Sequence, residues 1–447
     1  MTQTKKLVVI AGAALSLGAS AFAQSANQDN GRAYAAELVS DAGARVSLLD
    51  GGTGYNKNGF AIGSADGNNS LYVFGSAQIR YYADFRKQSD ADPTVKSFTH
   101  GFENRETRLG VKGSVWDKDF TYQIRGQFGN DGNFGLETAF AHYQWDNGFG
   151  IMAGQFKHPL FRESLVDNEY QLAVERSVTE GLFAGGYSQG VQFTYKSDQF
   201  RGWFGFTDGL NSANTSFNGG TNRAFLTDTG EADYAVNARV EFKAMGNSWE
   251  RFDDFTSWKS AEDTGLLLGG AVHWQDTGES GGTSSNPKLQ NLTYTLDAQF
   301  EGQGFNAFAA FLGTHQDTDV SGSEATDDFG IVAQGGVFVT DQVEVFARWD
   351  STFFDNARND SNGDKLKDAH FITFGANYYL SPESHAAKLS ADLIWSLQKT
   401  PGLFQAGDAT ATPPVSAGPL NGNSNYGILG QPKDGEVALR AQLQVVF

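Results

Sequence analysis

An all-β fold, a transmembrane antiparallel β-barrel of sixteen strands behind a short N-terminal segment, is what this 447-residue sequence predicts, and three observations predict it. Apolar and polar residues alternate with a period of two in sixteen separate segments, the links between them are short and long in turn, and the final segment closes on an aromatic, Phe447. Alternation marks strands that meet different surroundings on their two faces. Tight turns at one end and long loops at the other are the pattern of an outer-membrane barrel.

Residues 1–23 carry Lys5 and Lys6, an apolar run from Leu7 to Leu17, and Ala21-Phe22-Ala23, the pattern of a secretory signal peptide cut after Ala23. The run is too short, and too rich in Gly and Ser, for a membrane anchor of about twenty apolar residues. No cysteine exists anywhere in the chain, so lipoprotein anchoring, disulfides and thiolate chemistry are excluded. Residues 24–70 form a polar N-terminal periplasmic segment. Within it, the stretch from Arg32 to Leu49 places Tyr34, Leu38, Ala42 and Leu49 on one side, the pattern of a short helix; a flexible lead is the alternative.

Residues 71–447 form the barrel. In the first strand Leu71, Val73, Ala77, Ile79, Tyr81, Ala83 and Phe85 share one face, and Ser76, Gln78, Arg80, Tyr82, Asp84 and Arg86 the other. In the last, Val437, Leu439, Ala441, Leu443, Val445 and Phe447 alternate with Glu436, Arg440, Gln442 and Gln444. The segments start near residues 71, 105, 120, 138, 149, 188, 200, 233, 265, 292, 304, 328, 343, 370, 386 and 435. The gap from Ala244 to Thr264 falls on the short-turn side yet holds Trp249, Phe252, Phe255 and Trp258, so it either caps that rim or hides a further strand pair, which leaves eighteen strands open. Soluble sandwiches and propellers alternate too, but their apolar faces carry large core residues. Here that face is rich in Gly, Ala, Val and Leu, with Tyr81, Phe85, Tyr143, Trp145, Trp274, Trp349 and Trp395 gathered toward strand ends, as an aromatic girdle requires.

A net charge of −19 with scattered Lys and Arg argues against a nucleic-acid partner. Gly186-Tyr187-Ser188-Gln189-Gly190 spells a nucleophile elbow, but that motif needs a helix after the serine, and alternation continues instead. The seven histidines never pair at helical spacing, so no metal or cofactor site is expected. Gly129–Asn133 and Asn359–Asp364 could gather calcium ligands but read more simply as solvated loops. Glu163, Asp167 and Glu175 could supply a carboxylate pair for glycoside chemistry; in a loop folded into a pore they form a charge filter.

The stretch Phe102-Glu103-Asn104-Arg105-Glu106-Thr107-Arg108-Leu109-Gly110-Val111-Lys112-Gly113 resembles the F-x-x-R-x-x-R-L-G-x-x-G segment of the phosphate-selective porin O and P family. Gly154-Gln155-Phe156-Lys157-His158-Pro159 with Glu163, then Glu175-Arg176-Ser177, are similar to that family's next motifs, and the likeness is densest from Leu71 to about Asn211. The resemblance implies a homotrimeric, water-filled outer-membrane barrel without enzymatic activity. Its third long loop, here His158 to Tyr187, would fold inward and narrow the pore. The partners implied are outer-membrane lipid and small ions and solutes, including anions such as phosphate. A secreted carbohydrate-binding or carbohydrate-active β-protein is the alternative.

Strand parity gives an independent list, because residues opposite the apolar face line the lumen. The inward cations are Arg80, Arg86, Arg108, Lys112, Arg125, Lys157, Lys196, Arg201, Arg239, Lys243, Arg348, Lys388 and Arg440, and the inward acids Asp84, Glu241, Asp297, Glu301, Glu344, Asp350, Asp392 and Glu436. Cations thus outnumber acids on the wall. Arg80, Arg108, Lys112, Arg125, Lys157, Arg239, Arg348 and Arg440 are the pore-lining, anion-binding candidates, and Arg162, Glu163, Glu175 and Arg176 those of the constriction loop. The competing reading for each is an internal ion pair, such as Arg80 with Asp84 or Arg239 with Glu241. Arg105 breaks parity with Arg108 and needs a bulge or a place on the rim.

Overall fold

A computed structural model describes residues 53–56, 59–87, 97–129, 132–216, 232–277, 289–319, 322–359, 365–404, 420, 424–430 and 434–447. The proposed signal peptide, the Arg32–Leu49 stretch, residues 130 and 131 of the first calcium-like loop and 360–364 of the second lie outside them. The chain divides into two compact units, one of residues 1–74 with 111–118 and one of residues 75–110 with 119–447.

In the first unit β1 (Thr53–Asn56) and β2 (Gly59–Gly63) form a hairpin, and β2 pairs with the opening residues of β3 (Ser70–Phe85). Across it, the Trp116 amide donates to Asn69 Oδ1 (2.9 Å). Trp116 takes φ 69°, the left-handed turn between β4 (Phe98–Val115) and β5 (Asp117–Phe128).

The second unit is a closed antiparallel barrel. From β3, β4 and β5 the sheet runs on through β6 (Phe134–Gln144), β7 (Phe149–Lys157), β8 (Tyr187–Lys196), β9 (Phe200–Thr207) and β10 (Ala232–Met245). It continues through β11 (Gly265–Thr277), β12 (Leu289–Glu301), β13 (Phe305–Thr318), β14 (Thr326–Phe338) and β15 (Val343–Phe353). The last three are β16 (Ala369–Tyr379), β17 (Ala387–Ser396) and β18 (Val437–Val446), and β18 returns to β3 with Val437 opposite Phe85. Sixteen strands, β3 to β18, close the barrel, so no strand pair is hidden in residues 246–264. Several strand starts move earlier, most of all that of β4, which begins at Phe98 rather than near 105, and that of β6, at Phe134 rather than near 138.

The barrel is inside-out relative to a soluble protein. Ile79, Leu109, Ile124, Phe193, Phe204, Val240, Leu296, Phe374 and Leu443 are exposed, while Gln78, Arg80, Gln192, Asn237, Arg239 and Gln442 are buried. An exposed apolar belt of this extent belongs in lipid. Ring pairs such as Phe149 with Tyr195 and Phe200 with Phe242 gather at its short-turn edge. An apolar core also sits inside the barrel, where Phe308, Leu312, Val332, Phe346, Phe371 and Ile394 of β13–β17 meet residues of the inserted loops.

Candidate pore constriction

The loop between β7 and β8 begins where Pro159 ends the β7 ladder, and the His158 amide donates to the Gly186 carbonyl (3.0 Å), so both ends are stapled together. Inside run α1 (Arg162–Leu165), a 3₁₀ turn at Asn168–Tyr170 and α2 (Val178–Phe183). Ser177 caps α2 by accepting from the Glu180 amide (3.0 Å), and the Glu163 carboxylate accepts from the Ser177 amide (2.7 Å) and hydroxyl (2.6 Å). Leu160, Phe161, Val166, Leu172, Val178, Leu182 and Phe183 turn into the internal core, which holds the loop in the lumen.

Two further segments fold in beside it. After β17 come α3 (Pro401–Phe404) and Tyr426, whose hydroxyl sits so close to Gly181 that a Cβ there would lie 1.9 Å from it. From the short-turn side the Phe255 amide donates to the Tyr170 carbonyl (3.1 Å), and Asp254 pairs with His385 (2.7 Å). Residues 246–264 are therefore an inward cap, and they meet the constriction loop directly.

Seven of the eight wall candidates lie in the barrel unit. Arg80 pairs with Glu175 of the loop (2.7 Å), not with Asp84, which pairs with Arg86 (2.8 Å). The loop supplies a carboxylate that strand parity alone could not offer. Arg108 meets Glu106 (2.8 Å), Glu137 (3.0 Å) and Glu169 (3.6 Å). Arg125 meets Glu137 and Asp167 (3.0 Å each) and donates to the Tyr187 hydroxyl (3.1 Å), and Lys157 pairs with Asp167 (2.6 Å). Arg239 pairs with Glu241 (2.7 Å) and Asp297 (2.9 Å), and Arg440 with Asp392 (2.6 Å). Arg348 donates to the carbonyls of Glu175 (2.9 Å) and Arg176 (3.2 Å). Lys112 belongs to the first unit, with its ammonium 5.3 Å over the Phe74 ring. In the loop, Arg162 donates to Gln299 (3.1 Å) and faces Glu241 (3.5 Å), and Arg176 donates to the carbonyls of Glu163 (3.1 Å) and Val166 (2.9 Å).

Glu106, Glu137 and Glu169 escaped the sequence reading. Arg105 and Glu106 both turn inward, Glu106 buried and the Arg105 Nε enclosed, so β4 bulges there and β4 parity changes. Glu137 sits where the β5–β6 register slips, Arg125 facing Thr138 and Gly126 facing Leu136. Glu137 hides where the period of two breaks, whereas Glu106 shares the inward parity of Arg108.

The electrostatics of the loop follow from these pairs. Burial raises the Glu175 carboxyl, but Arg80 and Arg105 outweigh it and hold it at about 2. Burial likewise opposes the Asp167 carboxylate, and Arg125 and Lys157 overcome it, keeping the group well below the usual range. On this side the side chains of Asp167, Lys157 and Glu137 are 34%, 18% and 11% accessible, while Arg80, Arg108 and Arg125 are nearly closed to solvent, as Arg348 is. Among the described residues, no three His, Asp or Glu side chains converge as a metal ion would require. Ser188 lies within β8, its buried hydroxyl donating to the Gly209 carbonyl (2.8 Å), with no helix behind it.

Among curated protein sequences none matches this chain. Among solved structures it is similar to an anion-selective porin from Comamonas acidovorans, at 13% identity over 85% of this chain and 100% of that one, TM-score 0.54. It is also similar to OmpF of Salmonella typhi in complex with daunomycin (15% identity, 85% and 98% covered, TM-score 0.52). A third likeness is OmpT of Vibrio cholerae in its trimer form (12% identity, 84% and 99% covered, TM-score 0.50). These likenesses concern the fold. The family model for phosphate-selective porin O and P matches residues 76–408, well over half of the chain. This protein therefore belongs to the phosphate-selective porin O and P family and is an outer-membrane porin.

Proposed function

We propose that this porin passes small hydrophilic solutes by diffusion along the β4–β7 side of its lumen, and that its constriction carries anions, phosphate included, without binding them tightly. The observation that carries the reading is Asp167, which bridges Arg125 and Lys157 and, with Lys157, keeps partial exposure. A free phosphate would need the same two donors. The protein's own carboxylate already occupies them, as Glu137 occupies Arg108 and Arg125. In a narrow low-dielectric passage wall charges act strongly on ions, so a compensated wall filters by size first and by charge second.

The chain is exported by a signal peptide over residues 1–23, carries a periplasmic segment over 24–70 and embeds residues 71–447 in outer-membrane lipid as a homotrimer. The trimer form of the similar Vibrio cholerae barrel supports that assembly. Planar-bilayer recording of the purified trimer is the test. Stepwise KCl conductance with no block by millimolar phosphate is expected, and absence of any conductance would overturn the channel reading.

A further inference from the structure

On the short-turn side of Arg125 and Lys157, the inner wall of β5–β8 changes character. Two rows of cross-strand partners span it, one of Gln123, Phe140, Gly154 and Gly190, the other of Thr121, His142, Met152 and Gln192. Both face the lumen. The Gln123 amide donates to the Thr138 hydroxyl (3.2 Å), and Thr138 stands opposite Arg125 of the constriction, while Gln192 is buried on the inner face of β8. Neither row contains a carboxylate, an ammonium or a guanidinium.

Apolar side chains in a water-filled passage call for an explanation. Phe140 and Met152 are half-buried, and Gly154 and Gly190 place no side chain beside the Phe140 ring. Each Å² of apolar surface left against water costs about 25 cal/mol, so covering the ring is favourable. Neutral hydrogen-bonding groups surround it. The Thr121 hydroxyl donates to the His142 carbonyl (3.3 Å), which leaves its oxygen able to accept, and His142 Nε2 shares a hydrogen bond with the Thr194 hydroxyl (2.9 Å). The Gln192 Nε2 is buried and has no hydrogen-bond partner among the described residues. A buried donor without a partner calls for an acceptor. Met152, its neighbour across the strands, is unbranched and can move aside to admit one.

We infer that this wall is a subsite for neutral hydroxylated rings, a monosaccharide or disaccharide, whose apolar C–H face lies on Phe140 and whose hydroxyls meet Gln123, Thr121 and Gln192. A hydroxyl both donates and accepts, as these amides and the threonine require, whereas a full charge finds no counter-charge in either row. Asp167 and Glu137 already compensate the cations of the constriction beside it, so a neutral solute meets little net field there. This inference rests on the porin reading and names a solute class for that passage.

The test is single-channel recording in KCl with maltose, beside a polyethylene glycol of the same hydrodynamic size, which lacks the ring face and nearly all the donors. Saturable block by millimolar maltose is expected, against a drop merely proportional to concentration with the glycol. Phe140→Ala should raise the half-blocking concentration about fivefold and Phe140→Tyr should leave it near that of the unmodified channel. Gln123→Leu should raise it about threefold. KCl conductance without sugar reports whether each variant has folded and inserted. Maltose acting no differently from the glycol, or a half-blocking concentration unchanged in both Phe140→Ala and Gln123→Leu, would overturn the subsite while leaving the channel standing. Stronger block by benzoate than by maltose would overturn the choice of a neutral hydroxylated solute. Absence of KCl conductance in the unmodified protein would instead overturn the porin reading.

Discussion

The β15–β18 wall and the β3–β7 wall hold the same loop in different ways. On β15–β18 the wall grips backbone. Arg348 donates to the carbonyls of Glu175 and Arg176, Lys388 to those of Glu169 (3.2 Å) and Gln171 (3.0 Å), and Asn377 to that of Leu172 (2.9 Å). Asp392 accepts from the Val174 amide (2.9 Å) and Asp350 from the Thr179 amide (3.1 Å). On β3–β7 the wall meets side chains instead: Arg80 meets Glu175, Arg108 meets Glu169, and Arg125 and Lys157 meet Asp167. The difference separates two jobs that a list of inward charges merges. Clamping cations seat the chain by its backbone, whereas pairing cations meet the loop's carboxylates and, at Lys157 and Asp167, do so with partial exposure.

The comparison breaks most severely at the clamp. Arg348→Ala strips two loop carbonyls of their donor and leaves Asp350 without its guanidinium, a loss of about 3–5 kcal/mol for a buried charged group. Single-channel recording should show a larger, fluctuating conductance as the loop leaves its seat. A conductance indistinguishable from the unmodified protein would mean that the apolar core holds the loop alone.

The pairing side should respond in selectivity and not in architecture. Asp167→Asn removes one charge between Arg125 and Lys157 and leaves the core contacts of the loop intact. The zero-current potential in a KCl gradient should move toward chloride, with conductance changing less than in Arg348→Ala.

Acid should sharpen the contrast. The Glu175 carboxyl is depressed in the folded state, so its contribution is present above the unfolded value near 4.5 and is lost as pH falls through about 2. Asp167 is depressed likewise. Conductance titrated from pH 7 should therefore hold steady to about pH 3 as far as these pairs govern it. A step near pH 4–5 would show the pairs to be weaker than their geometry implies.

Smaller effects belong to the periphery. Gly181→Ala sets a methyl against the Tyr426 hydroxyl, and because that tip can shift, a loss of about 1 kcal/mol in thermal unfolding is expected. Lys259→Ala removes an exposed pair with Asp341 (3.3 Å) and should change stability by less than about 1 kcal/mol.

Much of the architecture was legible because period-two alternation is a local signal. Each strand declares its lipid face from its own residues, and Gly148 at φ 87°, where a Cβ would lie 2.4 Å from the Lys196 carbonyl, closes one of the tight turns. The inward loop was legible through its motif. Its partners were not, since choosing Glu175 over Asp84 for Arg80 depends on how Leu160, Phe183 and their neighbours pack across the lumen, a contact between distant parts of the chain. Glu137 was lost for a local reason, because a bulge shifts parity by one residue and turns an expected outward side chain inward, whereas Glu106 shares the inward parity of Arg108. The Trp and Phe residues of 246–264 left a rim cap and a hidden strand pair both open, and the cap with its contact to Tyr170 required the fold.

Phosphate titration of single-channel current, in the unmodified protein and in Asp167→Asn side by side, tests most directly whether loop carboxylates hold the anion's place. The account predicts no block of the unmodified channel at millimolar phosphate and clear block once Asp167 no longer bridges Arg125 and Lys157. Strong phosphate block of the unmodified channel, or none in the variant, would contradict it.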